Sequence, residues 1–177
     1  MKKVIAVAAA VFFIFGSAAL AREANIKQDF LEQGPRHWAP VLQKGEQLRD
    51  FEAGVREKTK VIRENNQRMK NLQGKVNRQI REIKVRLAEL RKNPEKLDEN
   101  KVADFARFAR NFGEQQKALE SVQKNIAGQK ARLRNAAGNR RMALFLQALD
   151  ETIAAQEKGI AILGEMSADL ERLDREL

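Results

Sequence analysis

One row of apolar side chains constrains this chain more than any other feature. Val41, Leu48, Val55, Ile62, Met69, Val76, Ile83 and Leu90 recur every seven residues without a miss. A strand alternates with a period of two and cannot generate that spacing, whereas a helix with a narrow apolar seam can. Phe51, Leu72, Ile80 and Leu87 follow members of the first row by three or four residues and form a second row. The middle of this second row is polar, because Lys58 and Asn65 stand where apolar residues belong. Asn93-Pro94 ends the run, since proline disfavours a helical residue before it and has no amide to donate. A helix over about 41–92 is predicted, about 75 Å long at ~1.5 Å per residue.

The rhythm then restarts. Phe105, Phe112, Leu119, Ile126 and Leu133 are again seven apart, with Val102, Phe108 and Val122 beside them. Phe105, Phe108 and Phe112 read as core at the tip of a helical hairpin, not as an aromatic box. Ala136-Ala137-Gly138-Asn139 is the next break, because Gly and Asn tolerate the geometry that closes a helix. The third run places Met142, Leu149, Leu163, Leu170 and Leu177 on one row, with Gln156 as its exception, and Leu146, Ile153 and Ile160 on the next. Helices over about 41–92, 98–136 and 140–177 joined by short turns must run antiparallel to their chain neighbours. The expectation for 41–177 is therefore all-α: an elongated antiparallel three-helix coiled-coil bundle. The alternative is one continuous helix over 98–177, a hairpin that would have to homo-oligomerise to cover its seam. Aromatic residues at 6%, a single Trp and no Tyr fit long charged helices better than a sheet.

Charge supports the pairing of the first and third helices. Residues 56–92 hold 13 basic and four acidic side chains, and residues 139–177 hold five basic and eight acidic. In an up-down-up order the acidic end of the third helix, from Glu165 to Glu176, comes beside the basic stretch from Arg78 to Lys92. Exposed pairs contribute only ~0 to 1 kcal/mol each, so they select the register more than they stabilise it.

The N-terminal segment reads as an address. Lys2 and Lys3 precede an apolar run, Val4 to Phe15, and Ala19-Leu20-Ala21 supplies small residues where a signal peptidase cuts. Residues 1–21 are expected to be a signal peptide cleaved after Ala21, placing the mature chain in a bacterial periplasm. The alternative is an inner-membrane anchor formed by residues 4–21, which carry no charge. Residues 22–40 form a lead-in with Phe30, His37 and Trp38 as candidate partner contacts, because an exposed Trp beside a Phe makes a strong docking anchor.

Catalytic repertoires are largely missing. Past the first segment the hydroxyl side chains are Thr59, Ser121, Thr152 and Ser167, His37 is the sole imidazole, and there is no cysteine. Neither an oriented nucleophile nor a metal-ligand spacing can be assembled from these, so no enzyme and no cofactor is expected. The formal net charge of +10 points instead to binding. Arg63, Arg68, Lys70, Lys75, Arg78, Arg81 and Lys84, with Arg86, Arg91 and Lys92 beyond them, are distributed around the first helix and are candidate contacts for a polyanion. In an exported protein anionic lipid or lipopolysaccharide is reachable, whereas nucleic acid is a poor candidate.

In this combination of signal peptide, high charge, long helices and absent cysteine the chain resembles small periplasmic helical chaperones of the OmpH-like type. The resemblance is one of composition: no trimerisation strands and no LTxxQ repeat are present, and no residue roles carry over. The expected function is that of a non-enzymatic envelope interaction protein, a scaffold, adaptor or chaperone-like factor with a protein partner, in which the polar seam at Lys58 and Asn65 is the weak point. The alternative is a peripheral binder of anionic lipid or another polyanion through the basic first helix.

Overall fold

The computed structural model describes residues 45–92, 99–139 and 141–177. The expected signal peptide over 1–21, the lead-in over 22–40 with Phe30, His37 and Trp38, and the Asn93-Pro94 break lie outside the described residues. Three helices account for nearly all of the rest: α1 over Gly45–Lys92, α2 over Glu99–Gly138 and α3 over Met142–Glu176. No strand occurs among the described residues, and no helix there is long and apolar enough to cross a membrane. Ala, Leu, Glu, Gln, Lys and Arg dominate all three sequences, the residues that lose least side-chain freedom in a helix.

The described residues fall into two compact units, each drawing on all three helices. The turn unit takes 45–69 of α1, 121–138 of α2 and 142–160 of α3, together with the turn that joins α2 to α3. Its core is Phe51, Val55 and Ile62 of α1, Leu133, Ala136 and Ala137 of α2, and Phe145, Ala148 and Leu149 of α3. Phe51 and Phe145 meet edge to face, with ring centroids 6.1 Å apart at 63°. That is the geometry in which a positive ring edge meets a negative face.

Here the chain reverses direction. Gly138 is the last residue of α2, and the Arg141 amide donates back to the Ala136 carbonyl at 2.9 Å, the six-residue return that closes many helices. The Asn139 amide donates to the Asn135 carbonyl at 2.9 Å, and the Phe145 amide to the Arg141 carbonyl at 3.0 Å as α3 begins. Beyond the turn, Arg132 of α2 pairs with Glu151 of α3 at 2.6 Å. The reversal thus sets α3 antiparallel to α2 in this unit, which excludes one continuous helix over 98–177. Contacts from α1 run the other way: Lys58 reaches Asp150, and Ile62 and Asn66 both reach Gln156, so α1 and α3 are parallel.

All three helices meet at Gly159. A Cβ there would lie 3.0 Å from Met69 Cε and 3.3 Å from Val122 Cγ1, one neighbour from each of the other helices. A larger side chain must therefore displace both. Gly159→Leu is expected to lower stability by about 1–3 kcal/mol through overpacking. Gly164→Ala, where an added Cβ meets nothing within 4 Å, should raise it by up to about 1 kcal/mol by removing a helical glycine. Denaturant titration of the two variants checks the contrast, and equal effects would contradict the close approach.

The C-terminal unit takes 70–92 of α1, 99–120 of α2 and 161–176 of α3, with Leu177 after it. Val76, Ile80, Ile83 and Leu87 of α1 are buried, as are Phe105, Ala109, Phe112 and Leu119 of α2 and Leu163, Met166, Leu170 and Leu173 of α3. Phe108 is half-buried and stacks on Phe112 with centroids 5.4 Å apart. Across the α1–α3 seam Lys75 pairs with Glu171 at 2.7 Å and Arg86 with Asp174 at 3.3 Å, again a parallel pairing.

Candidate interaction surfaces

In the turn unit the inner positions of the bundle carry an unusual load of polar groups. Thr59, Asn65, Gln129, Thr152 and Gln156 are all buried. Gln156, with 0% of its surface exposed, donates from Nε2 to the Asn66 side chain at 2.7 Å and to the Ile62 carbonyl at 3.3 Å. Thr152 donates back to the Ala148 carbonyl at 2.7 Å, and Gln129 to the Asn125 side chain at 3.1 Å. These bonds leave Thr59 Oγ1, Asn65 Nδ2, Gln129 Oε1 and Gln156 Oε1 buried without a partner. Each such group costs about 1–3 kcal/mol relative to a satisfied one. In the same stretch burial, reinforced by the neighbouring Arg134, holds the Lys130 ammonium below the usual lysine value.

Lys58 and Asn65, adjacent members of one row in the sequence, have different surroundings. Asn65 is buried, whereas the Lys58 side chain is 28% exposed and pairs with Asp150. Thr59, the next residue, takes the inner position. Gln129 and Thr152 gave no sequence signal, since an amide or hydroxyl inside a charged helix reads as surface. Gln156 did give one, as the polar exception in the apolar row of the third helix.

The turn unit also has an open cleft of about 300 Å³ where α2 meets α3. Arg132 and Glu151, two of its lining residues, pair with each other, and Gln147 also donates to Glu151 at 2.9 Å. It carries no nucleophile with an adjacent base. Among the described residues no three His, Cys, Asp or Glu side chains gather as a metal site would require.

The basic residues of α1 divide into groups. Lys75 and Arg86 turn to α3 and pair with its acidic side chains. Hydrogen bonding and charge from Lys75 hold the Glu171 carboxyl below the usual glutamate value. Lys84 is half-buried and in contact with its surroundings. Arg63, Arg68, Lys70, Arg78 and Arg81 are exposed. Arg81 donates from Nε to the Asn77 carbonyl of its own helix at 3.2 Å. No family model, curated protein or solved structure matches this chain.

Proposed function

We propose that this protein is an exported, non-enzymatic interaction protein of the bacterial envelope, a scaffold, adaptor or chaperone-like factor. In this reading its helices pack as an antiparallel coiled-coil bundle and admit a partner helix at the polar core of the turn unit. The seven-residue spacing of Val55, Ile62, Val76 and Ile83, all buried, supports the coiled-coil arrangement. The basic start, apolar run and Ala19-Leu20-Ala21 support export. The observation that carries the functional reading is the set of four unpartnered polar atoms on Thr59, Asn65, Gln129 and Gln156. A core that leaves donors and acceptors unsatisfied opens locally at lower cost than an apolar one, and a partner helix bearing complementary polar groups would satisfy them.

Asn65→Leu tests this. It removes the orphaned Nδ2 and adds apolar contact, and Lys58 is left intact because it is paired with Asp150. Stability is expected to rise by about 1 kcal/mol, a gain of about 2–4 °C in Tm for a chain of this size. Binding of envelope proteins to the immobilised variant should fall below that of the wild type. Lower stability would show that Asn65 is satisfied in solution. Higher stability with undiminished capture would remove the polar core as the contact.

A further inference from the structure

The outward line of α1 in the C-terminal unit carries charge that the bundle does not use. Lys70, Gly74, Arg78, Arg81 and Val85 follow one another at three- or four-residue steps, with Lys92 further along the same face, and all are exposed. One acidic residue, Glu89, falls on this line between Val85 and Lys92, and it is already in contact. Lys70, Arg78 and Lys92 make no ion pair among the described residues, and the contact of Arg81 with a carbonyl of its own helix leaves its charge unneutralised. The other acid of α1 in this unit, Glu82, borders the cleft toward α3. Residues 70–92 hold eight basic and two acidic side chains, whereas 161–177 hold two basic and five acidic. The unit is thus electrically two-sided, and its surplus positive charge sits on the outward face of α1.

Building on the reading of this chain as an interaction protein, we propose that this face docks on an anionic lipid bilayer through Lys70, Arg78, Arg81 and Lys92. A row of cations along one helix face meets a plane at every member simultaneously, and clusters of four or more Lys and Arg are the usual determinant of binding to anionic headgroups. Val85 favours this partner further. It is 60% exposed, one of two large apolar side chains so exposed among the described residues, and it lies within the cationic line. An aliphatic group flanked by long basic side chains suits the boundary between headgroups and acyl chains. The line carries no aromatic ring on which a nucleic acid base could stack.

The test is sedimentation of the full chain with phosphatidylcholine vesicles, with and without phosphatidylglycerol. Any contribution of the apolar run over 4–21 is common to both kinds, so the informative quantity is the difference between them. Lys70→Gln, Arg78→Gln, Arg81→Gln and Lys92→Gln together are expected to weaken binding to the anionic vesicles about a hundredfold or more, at roughly tenfold per two charges removed. Binding to neutral vesicles should not change. A second quartet of exposed residues, Arg107→Gln, Arg110→Gln, Lys117→Gln and Lys124→Gln, removes the same charge from α2 and should have a far smaller effect. Glutamine preserves helix propensity, and far-UV circular dichroism verifies folding of both variants. Rising salt should lower binding of the wild type to anionic vesicles toward its binding to neutral ones. Equal loss from both quartets, equal binding to both vesicle types, or indifference to salt would each overturn the proposal. Tighter binding to duplex DNA than to anionic vesicles at the same salt would overturn it too and assign the face to nucleic acid. Asn65-dependent capture of a protein partner reads out separately, so lipid docking can fail while the interaction reading stands, and the reverse.

Discussion

Ile83→Asp is expected to unfold the C-terminal unit, lowering Tm by more than about 10 °C, at roughly 2–4 °C per kcal/mol for a chain of this length. Ile83 is 1% exposed, between Ile80 and Leu87 on the buried face of α1. The substitution removes an apolar contribution of about 2–3 kcal/mol and introduces a carboxyl that either stays charged without a counter-ion or takes up a proton at a further cost. Breaking burial in this way typically costs several kcal/mol, a large share of the ~5–15 kcal/mol that holds a domain together. Arg81→Asp, two residues away, is the comparison. Arg81 is exposed and bonded only to its own helix, so its loss should stay within about ±0.5 kcal/mol of silent. Thermal melts of the two variants decide the matter, and equal destabilisation would mean that Ile83 does not face the core.

Much of this packing is legible as period. Val55, Ile62, Val76 and Ile83 of α1 are buried, as are Leu149, Leu163 and Leu170 of α3. A seven-residue spacing identifies them because only one face of a helix can meet its neighbours. The second row of α1 is less legible, since it steps by eight residues between Leu72 and Ile80 and its phase is ambiguous through the polar middle. An α-helix drifts by about 20° per heptad against a strict repeat of seven, enough to exchange neighbours at the edge of a narrow seam. In the polar middle Thr59 is inside while Lys58 lies at the rim with Asp150.

Charge was legible at the level of segments and not of pairs. The opposite balances of 56–92 and 139–177 anticipate that the first and third helices lie together, and Lys75–Glu171 and Arg86–Asp174 do join them. The individual partners depend on the axial offset between helices, which core interlock and connection length fix. The outward line of Lys70, Arg78, Arg81 and Lys92 emerges only after the cations turned toward α3 are set aside. Buried amides were the least legible feature. Gln129 has the composition of a surface residue and becomes part of the core only through where its helix face points.

Phe145→Ala should produce the largest loss in the turn unit, about 3–5 kcal/mol, the range for truncating a fully buried aromatic side chain. Phe145 has no exposed surface and lies one turn past the α2–α3 reversal, in a cluster with residues from all three helices. Its ring meets Phe51 edge to face, a contact worth about 0.5–1.5 kcal/mol beyond the area it buries, which Ala forfeits along with the packing. The cavity left behind cannot close cheaply, because Ala136, Ala137 and Ala148 of the same cluster have no length with which to fill it. Phe145→Leu retains most of the volume and should cost roughly half as much or less. Phe108→Ala supplies the contrast: that ring is half-buried against Phe112, and its truncation should cost about 1–2 kcal/mol, since only the covered part of the side chain is lost. Denaturant unfolding of the three variants orders them. A Phe145→Ala cost no greater than that of Phe108→Ala would place Phe145 outside the core and remove the cluster that holds the reversal closed.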